Sequence, residues 1–382
     1  MKIIHIINSL EKGGAEGNLY RLCLFQKKKY KHKIDITIIS LINHGYYEVE
    51  LKKKNIKIFT LELNKKIKFF FLIKKIFELR KLIKNINPDI IQSWMYHSNF
   101  ITLFLPQKFY NRIFWNIRHS KLNIQISKKI TIFISLICGL FSKIVPNKII
   151  YCSEDSVNFH ENQHFYAKNK TRLIDNGYCE KSYYPTKSLR LNFRKKNKLK
   201  KNDIILGFAG RFAKQKNIPS LLLAFSKIAK NYNNIYLFMA GKDINSSNKE
   251  LNKLAIDLKI TNKVFFLNEQ KNLLEFYNGI DLLILTSLSE SFPNVVAEAM
   301  LCSTPVLSSD VGCSKKIIED SGFLINGNNN QSIVKSLNES LHIFKNKKKE
   351  WKFIKKNCRL KIKNNYSIGN MSNIYLENWF FK

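Results

Sequence analysis

Acidic residues are scarce in this chain of 382 residues. It contains 28 Asp and Glu residues against 65 Lys and Arg residues, which gives a formal net charge of +37. Such a charge attracts anionic partners, and nucleic acid, a lipid surface and a phosphorylated small molecule all fit it. Hydrophobic residues nevertheless make up 45% of the chain and aromatic residues 13%. The composition therefore excludes a largely disordered protein.

Cysteine pairs and clustered metal ligands are also missing. The seven cysteines are scattered, no Cys-x-x-Cys sequence occurs, and no cysteines and histidines have zinc-finger spacing. This pattern predicts reduced, buried thiols in a cytoplasmic protein. No Asp-x-Asp sequence and no paired His and Asp spacing typical of a metal site occurs either, so we expect no metal ion and no resident cofactor.

Apolar runs long enough to span a membrane are absent. The longest run, residues 130–141, is shorter than the roughly 20 residues of a membrane span, so it predicts a core helix. The N-terminal apolar run is interrupted by His5 and lacks a small-residue cleavage site. It predicts a buried first strand rather than a signal sequence.

Strand-like runs alternate with helical patterns along the whole chain. Several runs are continuous and β-branched, which is typical of parallel strands that are covered on both faces. The pattern predicts an α/β protein with two doubly wound, Rossmann-like domains. The predicted strands are residues 2–7, 35–39, 89–92, 112–117 and 148–152, followed by 204–209, 235–240, 264–267, 281–285 and 305–308.

A basic stretch separates the two predicted domains. Residues 186–202 are rich in Lys and Arg and poor in strand-forming residues, which predicts an exposed linker. It would join an N-terminal domain, 1–185, to a C-terminal domain, 203–364. Residues 365–382 would form a helix that packs back on the first domain. Two such domains would face each other across a central cleft at the carboxyl ends of their strands, where such sheets bind ligands.

Two glycine turns are candidate binding sites. Gly13 and Gly14 lie between the first strand and a helix, where backbone amides approach a ligand and the helix N-terminus favours an anion. A tight turn without a ligand fits them equally, and the third glycine of a dinucleotide fingerprint is missing. Gly210 follows the first strand of the second domain, and Arg211 and Lys216 come next. A guanidinium and an ammonium suit a diphosphate, although most such charges in so basic a chain are solvated.

The third candidate follows the fourth strand of the second domain. Pro293 predicts the start of a helix, so the amides of Asn294 and Val295 would point at a ligand. Glu298 could bind vicinal hydroxyl groups with its two oxygens, and Glu290 would lie at the mouth of the loop. A capped helix with an exposed Glu298 is the alternative.

The motifs resemble those of a known family. The chain resembles the retaining glycosyltransferases of the GT-B fold, and specifically family 4, the glycosyl transferases of group 1. The resemblance covers nearly the whole chain and is most specific in the second half. The matching motifs are Gly-Gly-Ala-Glu at 13–16, Asn-Gly at 176–177, Gly-Arg with a following Lys at 210, 211 and 216, and two glutamates at 290 and 298. Gly17, Cys179 and Ser291 depart from the pattern, which commonly has Arg, Asp and Gly there.

The resemblance implies a role for each matching residue. Arg211 and Lys216 would contact the diphosphate of a nucleotide-sugar donor, Glu298 would bind the ribose, and Glu290 would lie near the donor sugar. His119 is the best match to a histidine that reaches that sugar. The predicted catalytic residues are Glu290, His119, Arg211 and Lys216. The predicted donor-binding residues are Gly13, Gly14, Gly210, Arg211, Lys216, Glu290, Phe292, Asn294, Val295 and Glu298, and His97 is a candidate for the acceptor side, although it could equally be a structural histidine.

The implied function is sugar transfer with retention of configuration. The donor would be a nucleotide diphosphate sugar, with a UDP-sugar favoured, and the acceptor a glycan or a polyprenyl-diphosphate-linked glycan in cell-surface polysaccharide biosynthesis. Basic segments such as residues 65–71 would contact an anionic membrane surface, unless their lysines are ordinary solvated charges. The alternatives are a GT-B-fold sugar-nucleotide epimerase and a non-enzymatic polyanion-binding protein; because no nucleic-acid recognition motif occurs, we expect no nucleic acid partner.

Overall fold

The computed structural model describes residues 1–42, 45–63, 69–122, 127–327 and 329–380. They divide into two units. The first comprises residues 1–177 together with the C-terminal helix from Ile368, and the second comprises Tyr178–Ser367. Residues 65–68 of the basic segment and Phe381 of the aromatic C-terminus lie outside the described residues.

The first unit is built on a parallel sheet of seven strands. The strands are β1 (Lys2–Ile7), β2 (Asp35–Ser40), β3 (Lys57–Thr60), β4 (Ile90–Trp94), β5 (Ile113–Ile117), β6 (Lys148–Tyr151) and β7 (Thr171–Leu173). Their order is β3-β2-β1-β4-β5-β6-β7. The helices that precede the second unit in sequence are α1 (Gly14–Tyr30), α2 (Tyr46–Lys53), α3 (Phe69–Ile86), α4 (Tyr96–Thr102), α5 (Lys129–Phe141) and α6 (Glu154–Gln163).

The second unit repeats this arrangement with six parallel strands. They are β8 (Ile204–Ala209), β9 (Ile235–Ala240), β10 (Val264–Phe266), β11 (Leu282–Leu285), β12 (Val306–Ser309) and β13 (Phe323–Ile325), in the order β10-β9-β8-β11-β12-β13. Its helices are α7 (Lys187–Lys196), α8 (Ile218–Ala229), α9 (Lys249–Asp257), α10 (Leu274–Gly279), α11 (Asn294–Leu301), α12 (Ser314–Ile318), α13 (Asn330–Asn346) and α14 (Lys348–Asn365). The prediction of two doubly wound α/β domains is confirmed.

The strands that sequence analysis missed all lie at sheet edges. β3, β7 and β13 have three or four residues each, and most of their side chains are partly exposed. A short, half-covered strand has no continuous apolar run, so its pattern does not stand out from a loop. The central strands β4, β5 and β8 are buried throughout, and their apolar runs predicted them.

A packed helix replaces the exposed linker that we expected over residues 186–202. Phe193 of α7 is buried, and a Cβ atom at Gly279 in α10 would lie 2.1 Å from its ring. Arg190 pairs with Asp281 at 2.6 Å, and Arg194 lies 3.8 Å from the same carboxylate. The basic composition wrongly predicted an exposed segment, because these arginines face inward. Helix α7 belongs to the second unit, which begins at Tyr178.

The apolar run 130–141 forms α5, but it is not the buried core helix that we expected. Ile134 and Cys138 face the core, whereas Phe133 and Leu140 are exposed. The run is apolar on all sides, so sequence alone does not show that one side lacks a covering element. Across the part of the chain that the structure describes, no helix is long and apolar enough to cross a membrane.

The C-terminal helix, α15 (Ile368–Phe380), lies in the first unit. The hydroxyl of Tyr375 accepts hydrogen bonds from Asn116 and Arg118, each at 2.5 Å. Trp379 Nε1 donates to Gln92 Oε1 at 3.0 Å. Because Gln92 and Asn116 belong to β4 and β5, the last helix of the chain is bonded to the centre of the first sheet.

Two buried histidines of the first unit are held neutral. His5 Nδ1 accepts from Trp94 Nε1 at 3.2 Å. His160 Nδ1 donates to the carbonyl of Ser156 at 2.6 Å, so its Nε2 accepts from Tyr96 at 2.8 Å. Burial lowers the pKa of both rings from 6.5 to about 3.

We expect the first unit to lose stability as the pH falls from 6.5 towards 3. A histidine whose folded pKa lies below its unfolded value contributes stability that is complete above pH 6.5 and declines as the unfolded chain binds the proton. The slope is about 1.4 kcal/mol per pH unit for each such ring. Urea denaturation at a series of pH values measures it. His32→Gln is the matched control, because His32 is exposed and its replacement should leave the slope unchanged. A free energy of unfolding of the wild type that does not change between pH 6.5 and pH 3 would contradict the assignment.

The packing of α7 gives a second prediction. Phe193→Ala should lower the free energy of unfolding of the second unit by about 3–5 kcal/mol, because it leaves a cavity beside Gly279. Leu191→Ala is the control on the same helix, where the side chain is 57% exposed, and should change stability by less than about 0.5 kcal/mol. Urea denaturation followed by circular dichroism compares the two variants. Equal effects would mean that α7 does not pack as described.

Candidate active site

The residues predicted to bind the donor diphosphate lie at one edge of the second sheet. Strands β8 and β11 are neighbours at the point where the strand order reverses. Gly210, Arg211 and Lys216 follow β8, and Glu290 follows β11. The carboxyl ends of neighbouring parallel strands at such a switch point form a crevice that binds ligands.

Lys216 and Glu290 form an ion pair. Lys216 Nζ lies 2.5 Å from Glu290 Oε1, and Ser287 Oγ donates to the same oxygen at 2.7 Å. The two side chains are only 15% and 11% exposed. Glu290 Oε2 has no hydrogen-bond partner among the described residues. Sequence analysis placed both residues near a donor but did not predict this pair.

Further hydrogen bonds join the same two loops. Gln215 Nε2 donates to the carbonyl of Ser289 at 2.5 Å, and the amide of Leu288 donates to the carbonyl of Gln215 at 2.8 Å. The hydroxyl of Thr286 donates to the carbonyl of Lys216 at 3.2 Å. The ion pair is therefore part of a fixed contact between the loops after β8 and β11.

Two glycines that sequence analysis missed allow this arrangement. Gly312 has φ +56°, and a Cβ atom there would lie 2.2 Å from the carbonyl oxygen of Glu290. Gly241 has φ +152°, and its Cβ atom would lie 1.9 Å from the carbonyl oxygen of Gly210. Other residues rarely adopt these angles. The signal was present in the sequence, because both glycines come shortly after predicted strands of the same sheet.

Arg211 differs from Lys216 in its surroundings. Its side chain is exposed, and within the described ranges it makes no ion pair or side-chain hydrogen bond. A Cβ atom at Gly210 would lie 3.4 Å from Lys216 Cε, so the glycine leaves room beside the lysine stem. An exposed guanidinium and an ammonium in the same loop suit a diphosphate.

Glu298 is buried, which excludes the alternative of an exposed helix residue. It is 8% exposed, and the hydroxyl of Tyr277 donates to its Oε2 at 3.0 Å. Burial, and then the charge of Glu298, raises the pKa of Tyr277 well above 10, so the tyrosine remains a donor at neutral pH. Glu298 lies four residues after Asn294 in α11 and therefore on the same helix face.

The start of α11 is held by aromatic residues from the two ends of the second unit, at Tyr178 and near Ser367. Phe292 is buried, and its ring centre lies 6.3 Å from that of Tyr178 and 5.7 Å from that of Tyr366. Tyr178 also donates to Asn294 Oδ1 at 2.5 Å. Val295 occupies the first turn of the helix. Sequence analysis missed Tyr178, although it directly follows the Asn-Gly motif.

In the first unit, the glycine turn carries its own acidic cap. Gly13 is the N-cap of α1 in an extended conformation, and Gly14 is the first helical residue. A Cβ atom at Gly13 would lie 2.1 Å from Glu16 Oε2, so the carboxylate folds over the turn from the capping-box position. Arg21 Nη1 would lie 3.6 Å from a Cβ atom at Gly17. A guanidinium thus lies beside the position where the family commonly has Arg.

The two candidate histidines follow neighbouring strands of the first sheet. His97 is the second residue of α4, which follows β4. Burial, followed by the charge of Lys128, lowers the pKa of His97 below 6.5, so the ring is neutral at pH 7. His119 follows β5, and its carbonyl oxygen accepts from Ser156 Oγ at 2.7 Å. The candidates of the first unit are thus Gly13, Gly14, His97 and His119, and their roles stay predictions.

No group of three or more His, Cys, Asp or Glu side chains among the described residues is placed to hold a metal ion. All seven cysteines are free, and all except Cys179 are buried.

Known proteins resemble this chain in sequence and fold. An uncharacterized glycosyltransferase of Methanocaldococcus jannaschii is 26% identical over 251 residues, which are 63% of this chain and 60% of that protein. The O-antigen biosynthesis glycosyltransferase WclY of Escherichia coli is 23% identical over 315 residues, or 81% of this chain and 80% of that protein. The crystal structure of Anabaena HepE with UDP and glucose matches with a TM-score of 0.83 at 17% identity and covers 100% of both chains.

The family follows from the second unit. Residues 190–357 match the model of the family described as glycosyl transferases group 1, and this range contains Arg211, Lys216, Glu290 and Glu298. The match to the group 1 glycosyltransferases therefore lies in the second unit, and the fold of the chain is the GT-B fold. The resemblance inferred from the motifs is confirmed.

The buried glutamate gives a testable prediction. Tyr277→Phe should destabilise the second unit by about 1.5–3 kcal/mol, because the variant removes a hydrogen bond to a buried carboxylate. Tyr236→Phe is the control, since Tyr236 lies in β9 of the same unit and makes no hydroxyl hydrogen bond with the described residues. Thermal and urea denaturation measure both variants. A Tyr277→Phe protein as stable as the control would show that Glu298 does not depend on this donor.

Proposed function

We propose that the protein transfers a sugar, with retention of configuration, from a nucleoside diphosphate donor to a hydroxyl group of a glycan. A UDP-sugar is the favoured donor, and a glycan or a polyprenyl-diphosphate-linked glycan is the acceptor. The observation that carries the proposal is the set of charges at the switch point of the second sheet. Arg211 is exposed in the loop after β8, and Lys216 of the same loop forms an ion pair with Glu290.

The two cations account for binding of the diphosphate. Arg211 offers a planar fork of N–H donors. Lys216 has three N–H donors. One of them is donated to Glu290, which leaves donors for a phosphate oxygen. Negative charge builds up on the diphosphate as the bond to the sugar breaks. Fixed cations in a site with little water stabilise that charge strongly, so we assign the neutralisation to Arg211 and Lys216 and propose no resident metal ion or cofactor.

The two glutamates are assigned to hydroxyl groups. Glu290 Oε1 is held by Lys216 and Ser287, so Oε2 is the oxygen that accepts from the donor sugar. Glu298, whose Oε2 accepts a hydrogen bond from Tyr277, is assigned to the ribose. These assignments divide the carboxylates between the two ends of the donor.

The reaction balances without a base from this region of the chain. The acceptor oxygen forms a bond to the anomeric carbon, and the bond from that carbon to the diphosphate oxygen breaks. The bonding electron pair leaves with the nucleoside diphosphate, whose phosphate oxygen takes the proton of the acceptor hydroxyl. Attack from the face that the diphosphate leaves gives retention of configuration.

The relatives support a choice of donor and acceptor class. Anabaena HepE is described in complex with UDP and with UDP-glucose, which favours a uridine donor here. The name of Escherichia coli WclY refers to O-antigen biosynthesis, which favours a cell-surface glycan. We therefore place the reaction in the cytoplasm at the inner face of a membrane, where a polyprenyl-linked glycan is exposed.

A thermal-shift panel tests the donor proposal. UDP-, GDP- and ADP-sugars are added to the purified chain, and each compound that raises the unfolding temperature is then assayed for hydrolysis and transfer, with and without EDTA. We expect a UDP-sugar to stabilise the protein and its turnover to survive EDTA. Stabilisation by DNA without any effect of sugar nucleotides would contradict the proposal, and conversion of the donor into its epimer would favour an epimerase.

Arg211 carries the sharpest prediction. Arg211→Ala should lower turnover by about 100-fold or more, since loss of one donor to a developing anion costs about 3 kcal/mol. Arg211→Lys should recover only part, because an ammonium lacks the planar fork. Lys227→Ala removes one exposed positive charge from α8 in the same unit and should leave turnover unchanged. Activity of Arg211→Ala within twofold of the wild type would refute the assignment.

A further inference from the structure

Helix α5 exposes large apolar side chains along one side. Ile130, Phe133, Leu140 and Phe141 are 57%, 58%, 63% and 46% exposed, and Ile144 just beyond the helix is 62% exposed. At 3.6 residues per turn these positions fall within a stripe about 100° wide. We call these five residues the α5 face. The opposite side, with Ser135 and Gly139, is buried in the first unit, and Ile134 and Cys138 between the two sides are buried as well.

An apolar surface of this kind is unusual on a folded protein. Single exposed apolar residues are common, but a contiguous apolar patch marks an interaction site. Helix α9 of the second unit, by comparison, exposes one large apolar residue, Ile256. The five exposed apolar residues of the α5 face therefore indicate an interaction site.

The charges next to the α5 face in sequence indicate what kind of partner binds it. From residue 90 to residue 153 the sequence contains no Asp or Glu. Lys128 and Lys129 precede the exposed stripe, Lys143 lies near its end, and all three are exposed. The basic residues of this acid-free segment are Lys108, Arg112, Arg118, Lys121, Lys128, Lys129, Lys143 and Lys148.

We infer that the α5 face docks on an anionic lipid surface. An apolar stripe with lysines at both ends matches a helix that lies in a membrane interface, with its apolar side in the acyl region and its lysines reaching the phosphates. A second copy of the chain would bring the same positive charges to the contact, which repel. A nucleic acid would satisfy the lysines but leave the apolar stripe in contact with water.

This docking surface deepens the proposed function. Bringing the enzyme to a lipid-linked acceptor rests on the proposed transfer reaction, whereas binding to vesicles does not. The surface also differs from the basic segment that sequence analysis named, because residues 65–71 and α5 are separate segments. Flotation of the protein with vesicles therefore tests the docking surface independently of catalysis.

The flotation experiment compares the wild type with two matched double variants. Phe133→Ser combined with Leu140→Ser removes two side chains of the α5 face. Ile256→Ser combined with Phe353→Ser removes two side chains of similar exposure from the second unit. We expect the wild type and the second variant to float with phosphatidylglycerol-containing vesicles, and the α5 variant to bind about tenfold less. Pure phosphatidylcholine vesicles should bind the wild type weakly, since they lack anionic charge.

A fluorescence measurement locates the contact. The four native tryptophans are Trp94, Trp115, Trp351 and Trp379, and all are buried, so an introduced exposed tryptophan reports its own surroundings. Phe133→Trp should be quenched by brominated lipids in anionic vesicles, whereas Ile256→Trp should not. Quenching of both or of neither would overturn the assignment of the α5 face.

Other outcomes separate the competing explanations. Equal flotation of the α5 variant and the wild type would place membrane binding elsewhere and overturn the inference. A wild-type dimer in sedimentation that the α5 variant dissociates, without vesicle binding, would make a second copy the occupant and also overturn it. Transfer to a water-soluble acceptor should be unchanged in the α5 variant. If the wild type floated with anionic vesicles but showed no transfer to a water-soluble acceptor, the result would count against the proposed function alone.

Discussion

The ion pair between Lys216 and Glu290 is the interaction on which the candidate site depends. It joins loops that are 74 residues apart in sequence, and it is largely shielded from water. A shielded pair is stable only when the remaining donors and acceptors are satisfied or face a ligand. Ser287 satisfies part of this requirement, and Gly312 allows the backbone of Glu290 to approach closely. Arg211, in the same loop as Lys216, is exposed, so one cation is held by a carboxylate and the other is open to solvent.

Positive charge serves different purposes in different parts of the molecule. Arg118, in the first unit, is bonded to neutral acceptors that include Asn116 and Tyr375, where it links β5 to α15. Arg190 holds Asp281 in the second unit, which attaches α7 to the sheet. These arginines are structural, so the net charge of +37 overstates what is offered to a partner. The distribution of charge, with an acid-free segment around α5, is more informative than the total.

Much of the architecture was predictable because the central strands are short, continuous apolar runs. β1, β8 and β9 have the bounds that the pattern predicted. The edge strands β3, β7 and β13 and helix α7 were not predictable, since each is half covered and its composition resembles a loop. The motifs around Gly210, Arg211 and Glu290 located the candidate site, because residues after neighbouring parallel strands meet at one sheet edge. The supporting residues Ser287, Tyr277 and Gly312 carry no comparable signal, since their roles depend on partners far along the chain.

The amino-acid sequence by itself determined the alternation of strands and helices and the order of the motifs, and with them the family. These features are local, so a window of a few residues contains them. Only the tertiary structure decided that Lys216 pairs with Glu290, that the arginines of α7 turn inward and that Glu298 is buried against Tyr277. It also decided that one side of α5 stays uncovered. Burial is a property of what packs against a residue, and in α5 the exposed side is at least as apolar as the buried side, which contains Ser135 and Gly139.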